Sequence, residues 1–213
     1  AMGNDCAGAV LVLDAIEALV PEATAYAFER RLRRIDCLVD LQRLAEADRI
    51  CELAEAAELS PLQRAQVLGL RGSVNLMLGR IDLASRSLAR AEELLTGIRA
   101  SSAAERELVA RFQFDAQLRQ LDLLTAREQY EDVEATIARF VERREQAGTP
   151  LSDEQRMTLH THAVGAAYLA TQQDPPRIDA ALASIVQLLA TPGVSPRNAE
   201  MATVWLADLE LRR

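Results

Sequence analysis

Apolar residues recur at the three- and four-residue spacing of an α-helix along almost the whole of this 213-residue chain. No segment of the sequence shows the alternation of β-branched and polar residues that is typical of a strand. The helical pattern is interrupted by start signals such as Ser60-Pro61-Leu62-Gln63, which offers a capping hydroxyl, a first-turn proline and a glutamine that can reach back. We therefore predict an all-α chain.

The start signals divide the chain into ten predicted helices. Further signals are Ser102 with Glu105, Ser152 with Gln155, Asp174-Pro175 and Ser195-Pro196. The predicted helices span residues 7–20, 22–42, 44–58, 61–78, 80–97, 102–126, 129–147, 152–172, 175–191 and 196–212. Because short connections make successive helices antiparallel neighbours, we expect one domain, 1–213, with hairpins at about 22–58, 61–97, 102–147 and 152–191, flanked by helices 7–20 and 196–212.

The hairpins share an order of small and large residues that repeats along the chain. In the second hairpin it reads Leu68, Gly72, Leu76, Gly79, Ala84, Leu88 and Ala91. An offset of 37 residues places Ala47, Cys51 and Ala54 at the last three of these positions. A weaker match, at an offset of 49, is given by Tyr130, Val133, Ile137 and Phe140, and a partial one by Gly165, Tyr168, Ala181 and Leu182. Small residues at such positions favour a close crossing of two helices.

This pattern resembles the tetratricopeptide repeat over about residues 65–98. The resemblance implies a right-handed α-solenoid, in which antiparallel hairpins stack side by side and leave a concave face open. The lengthened repeats also look like the bacterial arrays that precede GGDEF diguanylate cyclase domains. That likeness implies a non-enzymatic sensory or regulatory module whose groove binds a protein or peptide segment. Chaperone-binding members of the family hold a C-terminal carboxylate with a Lys and Asn clamp, a class disfavoured here because the chain has no lysine.

The residues that the repeat would turn toward the concave face mix acidic and aliphatic groups. Such a surface suits a peptide or helix that carries some positive charge and apolar anchors. The predicted groove residues are Asp36, Val39, Asp40, Gln66, Ser73, Leu76, Asp115, Leu118, Asp122 and His162.

Other functions and compartments stay open on the sequence. One alternative is the helical-repeat region of a cytoplasmic transcription regulator, and another is a stand-alone chaperone or assembly adaptor. The compartment is either the periplasm, which the sensory resemblance favours, or the cytoplasm. We expect no enzymatic activity, because the sequence offers no combination of nucleophile, base and electrostatic stabiliser.

The cysteines bear on the compartment. If Pro21 and Glu22 form the turn between two antiparallel helices, Cys6 faces Cys37. A disulfide between them would stabilise the fold by about 3–4 kcal/mol and would indicate an oxidising compartment. The alternative interpretation is two reduced core cysteines, since free cysteines are often buried.

Several ligand classes are disfavoured by composition and spacing. With 32 acidic against 24 basic side chains and a net charge of −8, we expect no nucleic-acid partner. We also expect no metal and no cofactor: the cysteines lack paired spacing, and His160 and His162 project about 200° apart on a helix. The first apolar stretch contains Asp14 and Glu17, so we expect no membrane insertion of this segment.

Two surface features complete the prediction. Arg30, Arg31, Arg33 and Arg34 form a dense basic cluster, which could hold an acidic partner or a phosphate. We interpret them instead as solvated or paired with carboxylates of neighbouring helices. The last helix carries an apolar stripe around Trp205, which leaves open a homodimer through the C-terminal helix.

Overall fold

The structure is a computed structural model that describes residues 5–19 and 26–213. Across these two ranges it contains ten α-helices and no β-strand, which confirms the predicted all-α class. The helices are α1 (Cys6–Leu19), α2 (Ala27–Asp40), α3 (Leu44–Glu55), α4 (Pro61–Met77), α5 (Ile81–Gly97), α6 (Ala103–Ala126), α7 (Tyr130–Gln146), α8 (Asp153–Gln173), α9 (Ile178–Ala190) and α10 (Pro196–Arg212). The chain divides into two compact units, the first ending at Arg119 and the second beginning at Gln120.

Serine side chains begin four of the described helices, as the start signals predicted. At α6 the Glu105 amide N–H donates to Ser102 Oγ at 3.1 Å, but the Glu105 carboxylate accepts from the Ser101 amide rather than from that of Ser102. At α4 the Gln63 amide N–H donates to Ser60 Oγ at 3.3 Å, and the Ser60 amide N–H donates to Gln63 Oε1 at 3.0 Å. Ser152 and Gln155 form the same reciprocal pair at α8, and Ser195 Oγ accepts from the amide of Asn198 at α10. Each bond satisfies a helix N–H group that has no partner within the helix.

The predicted helix 175–191 begins differently in the structure. Residues Pro175–Arg177 form a 3₁₀-helix, and α9 starts only at Ile178. Two successive prolines remove two first-turn N–H donors. The Arg177 amide donates to the Asp174 carbonyl at 3.1 Å, and the Asp174 carboxylate accepts from Arg177 Nε at 2.9 Å rather than from an amide. The predicted helix 22–42 is represented by α2, and its residues 22–25 lie outside the described residues.

Four of the described helices end in the same backbone conformation. One of these ends lies between α7 and α8, where Gly148 has a φ of 66° and the Thr149 amide donates to the Arg144 carbonyl, and the other three lie within the predicted hairpins. In these three, Gln42, Gly79 and Glu128 have positive φ angles of 58°, 71° and 60°. In each turn the amide N–H of the residue after the positive-φ position donates to the carbonyl oxygen five residues before it. These bonds run from Arg43 to Leu38, from Arg80 to Asn75 and from Gln129 to Leu124. This is the Schellman arrangement that ends a helix. The three turns lie 37 and 49 residues apart, the same offsets as in the sequence repeat.

Buried residues that follow these turns are separated by the same 37 and 49 positions. Ala47, Ala84 and Val133 occupy equivalent positions after the three turns, and each is fully buried. The described helices therefore form repeat-like pairs, in agreement with a helical repeat fold.

In the first unit, each helix from α1 to α4 packs on the next one, and α2 also contacts α4. The predicted close crossing of α4 and α5 is confirmed, because Gly72 is buried against the Leu88 side chain. The core continues through Ile35, Leu38 and Val67. Small residues on one helix and branched residues on the other let the pairs pack closely.

A charged seam joins α3 to α4. The guanidinium of Arg71 donates to Asp48, Glu52 and Glu55 at 3.3, 2.6 and 2.9 Å. Arg80 Nη1 donates to the second Asp48 oxygen at 2.7 Å. Asp48 is buried. The cost of removing its carboxylate from water is offset because both oxygens accept hydrogen bonds from arginine side chains.

In the second unit, α7 packs on α8, α8 on α9 and α9 on α10, while α10 also contacts α8. Its core is built from Ile185, Leu188 and Leu209, with Ala202 at the approach of α10. At the end of the chain Arg212 donates to the carbonyl of Thr171 at 2.9 Å. These contacts fix α10 against α8, and that pair forms the wall of the site described next.

Candidate functional site

A cavity of about 230 Å³ opens in the second unit, between the C-terminal end of α6 and the helices α8 and α10. It is smaller than the roughly 300–1,000 Å³ of sites for drug-sized ligands. The lining residues are Asp122, Thr125, Thr161, His162, Gly165, Ala166, Tyr168, Leu169, Met201 and Trp205.

Two stacked aromatic rings form one wall. The rings of Tyr168 and Trp205 lie 5.5 Å apart at an angle of 18°. A β-carbon at position 165 would lie 3.1 Å from Trp205 Cη2, so Gly165 allows the indole to approach α8 closely. The Tyr168 hydroxyl donates to Asp208 Oδ2 at 3.0 Å, which fixes the orientation of its ring. The wall is therefore a preformed apolar surface on rigid helices.

Another part of the lining is a histidine–carboxylate pair. His162 Nε2 lies 3.5 Å from Asp122 Oδ1, and the Asp122 side chain is 58% exposed. His162 Nδ1 lies 2.9 Å from the carbonyl oxygen of Thr158, an acceptor, so Nδ1 carries a proton. Burial lowers the pKa of His162, but the hydrogen bonds with Asp122 and Thr158 and the charge of Asp122 outweigh it, so that the pKa is raised above 6.5.

The two ring nitrogens of His162 have different neighbours. Both ring nitrogens of His162 face an acceptor, Thr158 through Nδ1 and Asp122 through Nε2. The site can hold a ligand by charge at Asp122 and by apolar contact at the aromatic wall.

The structure brings two of the predicted groove residues together here, Asp122 and His162. In the first unit, Ser73 accepts from Arg119 Nε at 3.0 Å. Burial raises the pKa of Asp36, with a further rise from Asp40, against the opposing charges of Arg33 and Arg119. Asp40 accepts from the Cys6 thiol. The remaining predicted groove residues are half-buried: Val39, Gln66, Leu76, Asp115 and Leu118.

The aromatic wall was not predicted as part of a site. In the sequence, Gly165 and Tyr168 belong to the repeat pattern, and Trp205 belongs to an apolar stripe expected at a dimer surface. The available signal was the spacing of Thr161, Gly165, Tyr168 and Leu169, which places them on one face of a helix. That periodicity does not identify α10 as the helix opposite this face.

In the first unit Cys6 and Cys37 lie within hydrogen-bonding reach of each other, and the turn expected at Pro21 and Glu22 lies outside the described residues. Hydrogen bonding with Cys37, together with burial and the nearby Asp40, raises the pKa of Cys6 to about 12. The structure holds Cys6, Cys37 and Cys51 as buried free thiols. This is the reduced state of the two interpretations that the sequence leaves open, and the thiol count in solution decides between them.

Other sequence expectations concern the surface. Arg34 of the basic cluster pairs with Asp14 at 2.8 Å, as expected for a member that joins neighbouring helices. Within residues 5–19 and 26–213, no helix has the length and apolar character needed to span a bilayer. In the same part of the chain no three His, Cys, Asp or Glu side chains converge as a metal site would require.

Comparison with known proteins adds no relative to these observations. A scan of protein-family models finds none that matches this chain, and searches of curated proteins and of solved structures also find no match.

Proposed function

We propose that this chain is a non-enzymatic protein–protein interaction module, built of tetratricopeptide-like hairpins, that binds a protein or peptide segment. The proposal includes the right-handed α-solenoid that such hairpins form by stacking. Its support from the fold is the repeated turn at Gln42, Gly79 and Glu128, with the offsets of the sequence repeat.

The observation that carries the proposal is the cavity between α6, α8 and α10. Two residues expected on the binding face, Asp122 and His162, line it together with a preformed aromatic wall. Peptide recognition commonly relies on a pocket that anchors one side chain while the backbone runs across a groove. A cavity of this size accommodates one such anchor.

In the wider polypeptide, the proposed role is sensory or regulatory, as in the bacterial arrays that precede diguanylate cyclase domains. Binding of a segment to the groove would then alter the output of an attached domain. The sequence resemblance supports this part of the proposal, and the periplasm is the compartment that it favours.

The proposed binding site is tested by selecting peptides from a displayed random library on the wild-type protein. Each enriched peptide is then titrated against Asp122→Arg and against the matched control Glu134→Arg, which makes the same charge change at an exposed position of α7. We expect the Asp122 variant to lose at least about fivefold in affinity, since reversing a charge beside a bound partner is repulsive, and the control to bind as the wild type. No enrichment, or equal binding by all three proteins, would contradict the proposal.

A further inference from the structure

We propose that the cavity between α6, α8 and α10 receives a guanidinium group on an aliphatic stem. The proposed function supplies the source of this group, an arginine side chain of the bound segment. The chemistry of the group follows from the lining of the cavity and the charge of the chain.

The charge of the lining selects a cation. Among the described residues that line the cavity, the charged or titratable side chains other than Tyr168 are Asp122 and His162, and none is an arginine. Asp122 is more than half exposed, so its carboxylate can meet a ligand at the mouth. The chain carries a net charge of −8, which raises the local concentration of cations and disfavours anions.

The apolar wall selects the kind of cation. The cavity is bounded by Trp205, Leu169 and Met201, which match an aliphatic stem or a weakly hydrated group. A guanidinium group is planar, stacks on aromatic rings and gives up its hydration more readily than an ammonium group. It can also donate two parallel hydrogen bonds to one carboxylate. An arginine side chain therefore matches both the wall and the mouth.

The His162–Asp122 contact leaves this position accessible. Its 3.5 Å separation is at the outer limit of a hydrogen bond. Among the described residues, the first oxygen of Asp122 contacts only His162, at this long distance, and no hydrogen bond or ion pair is found at its second oxygen. A guanidinium group can therefore engage the carboxylate without displacing a short hydrogen bond.

The direct test uses three small probes of similar size: propylguanidinium, the neutral propylurea and the anionic butyrate. Trp205 is the only tryptophan of the chain and lines the cavity, so its fluorescence reports occupancy. We expect saturable binding of propylguanidinium at millimolar concentration, as its few atoms allow. Propylurea should bind about two- to fivefold more weakly, the range expected for a solvent-exposed ion pair, and butyrate should give no saturable change.

The variant Asp122→Asn separates charge from shape. It should bind propylurea as the wild type does and lose the preference for propylguanidinium, whereas the control Glu134→Gln should keep that preference. Equal binding of the guanidinium and the urea by the wild type, tighter binding of butyrate, or no saturable binding of any probe would overturn the inference.

A second arm tests the source of the group. The peptides selected for the proposed function should contain arginine, and replacing it by citrulline, which keeps the shape and removes the charge, should weaken binding in the wild type and not in Asp122→Asn. Enriched peptides that depend on Asp122 but lack arginine would overturn the inference and leave the proposed function standing. Propylguanidinium binding without any enriched peptide would support the cavity chemistry and contradict the proposed function.

Discussion

A β-carbon at position 72 would lie 2.4 Å from Cδ2 and 2.6 Å from Cγ of Leu88. The helices α4 and α5 therefore approach each other at Gly72 as closely as a residue without a side chain allows. Leu88 is only 4% exposed, so its side chain cannot turn out to solvent to make room. The crossing depends on the absence of a side chain at this position.

Replacing Gly72 by alanine should lower the free energy of unfolding by about 1–3 kcal/mol, the usual cost of overpacking a core. Urea unfolding followed by circular dichroism measures the change. The matched control is Gly97→Ala at the end of α5, where a β-carbon would meet nothing within 4 Å. This control should be neutral or slightly more stable.

The double variant Gly72→Ala, Leu88→Ala tests the stated cause. Shortening Leu88 removes the clash, so the double variant should be less destabilised than the sum of the two single changes. An additive result would mean that the cost at position 72 does not arise from Leu88.

Replacing Arg71 by glutamine should lower the free energy of unfolding by about 2–3 kcal/mol, since removing one partner leaves the buried Asp48 carboxylate less compensated. The Arg71 side chain is 21% exposed, which keeps the cost below that of a fully buried pair. The control Arg90→Gln removes a surface pair with Glu93, whose partners are 57% and 67% exposed. It should cost less than about 1 kcal/mol. Similar losses in the two variants would contradict a structural role for the seam.

Much of the fold could be predicted because its signals are local. The caps at Ser60, Ser152 and Ser195 need only residues three positions away, and the repeat offsets reappear as backbone turns. The prediction was wrong at Asp174, where a local rule for N-caps was overridden by two prolines and by Arg177. Signals of this kind determine where helices begin and end.

The site could be predicted only in part. Asp122 and His162 were placed on one binding face by the repeat pattern, and they lie together in the structure. The stack of Tyr168 on Trp205 depends on the packing of α10 against α8, a contact between residues 37 positions apart. Helical periodicity defines the face of each helix but not its partner, so the aromatic wall could not be assigned.

The three cysteines should be unreactive in the native protein. Burial is the main cause that raises the pKa of Cys51 to about 12. The pKa of Cys6 is also raised to about 12. Because the thiolate is the nucleophile, Ellman's reagent should react slowly in buffer at pH 8 and rapidly in urea. In urea a fully reduced protein gives three thiols, whereas a protein with a Cys6–Cys37 disulfide gives one. Rapid reaction of Cys51 in the folded protein would contradict the burial found here.

A homodimer through α10 stays a prediction, and the structure changes which residues test it. Trp205 packs on Tyr168, whereas Val204 and Leu211 are 62% and 89% exposed and lie seven residues apart on one helix face. If the dimer forms, Leu211→Glu should shift it to a monomer in light scattering at several concentrations. Leu53→Glu, at a 61% exposed position of α3, is the control. A wild type that is monomeric at every concentration would contradict the dimer.

His162 makes the stability of the protein depend on pH. Its pKa is raised in the folded state, against the lowering effect of burial, by Asp122 and the Thr158 carbonyl. The folded chain therefore holds this proton more tightly than the unfolded chain, and the stabilisation is complete below the unfolded pKa of about 6.5 and disappears as the pH rises through the folded value. The difference in unfolding free energy between the wild type and His162→Gln should consequently be larger at pH 6 than at pH 9. Asp122→Asn should remove most of this pH dependence, because it removes the charge and the side-chain acceptor that raise the pKa; if that variant keeps the full dependence, the Asp122 contact is not its cause.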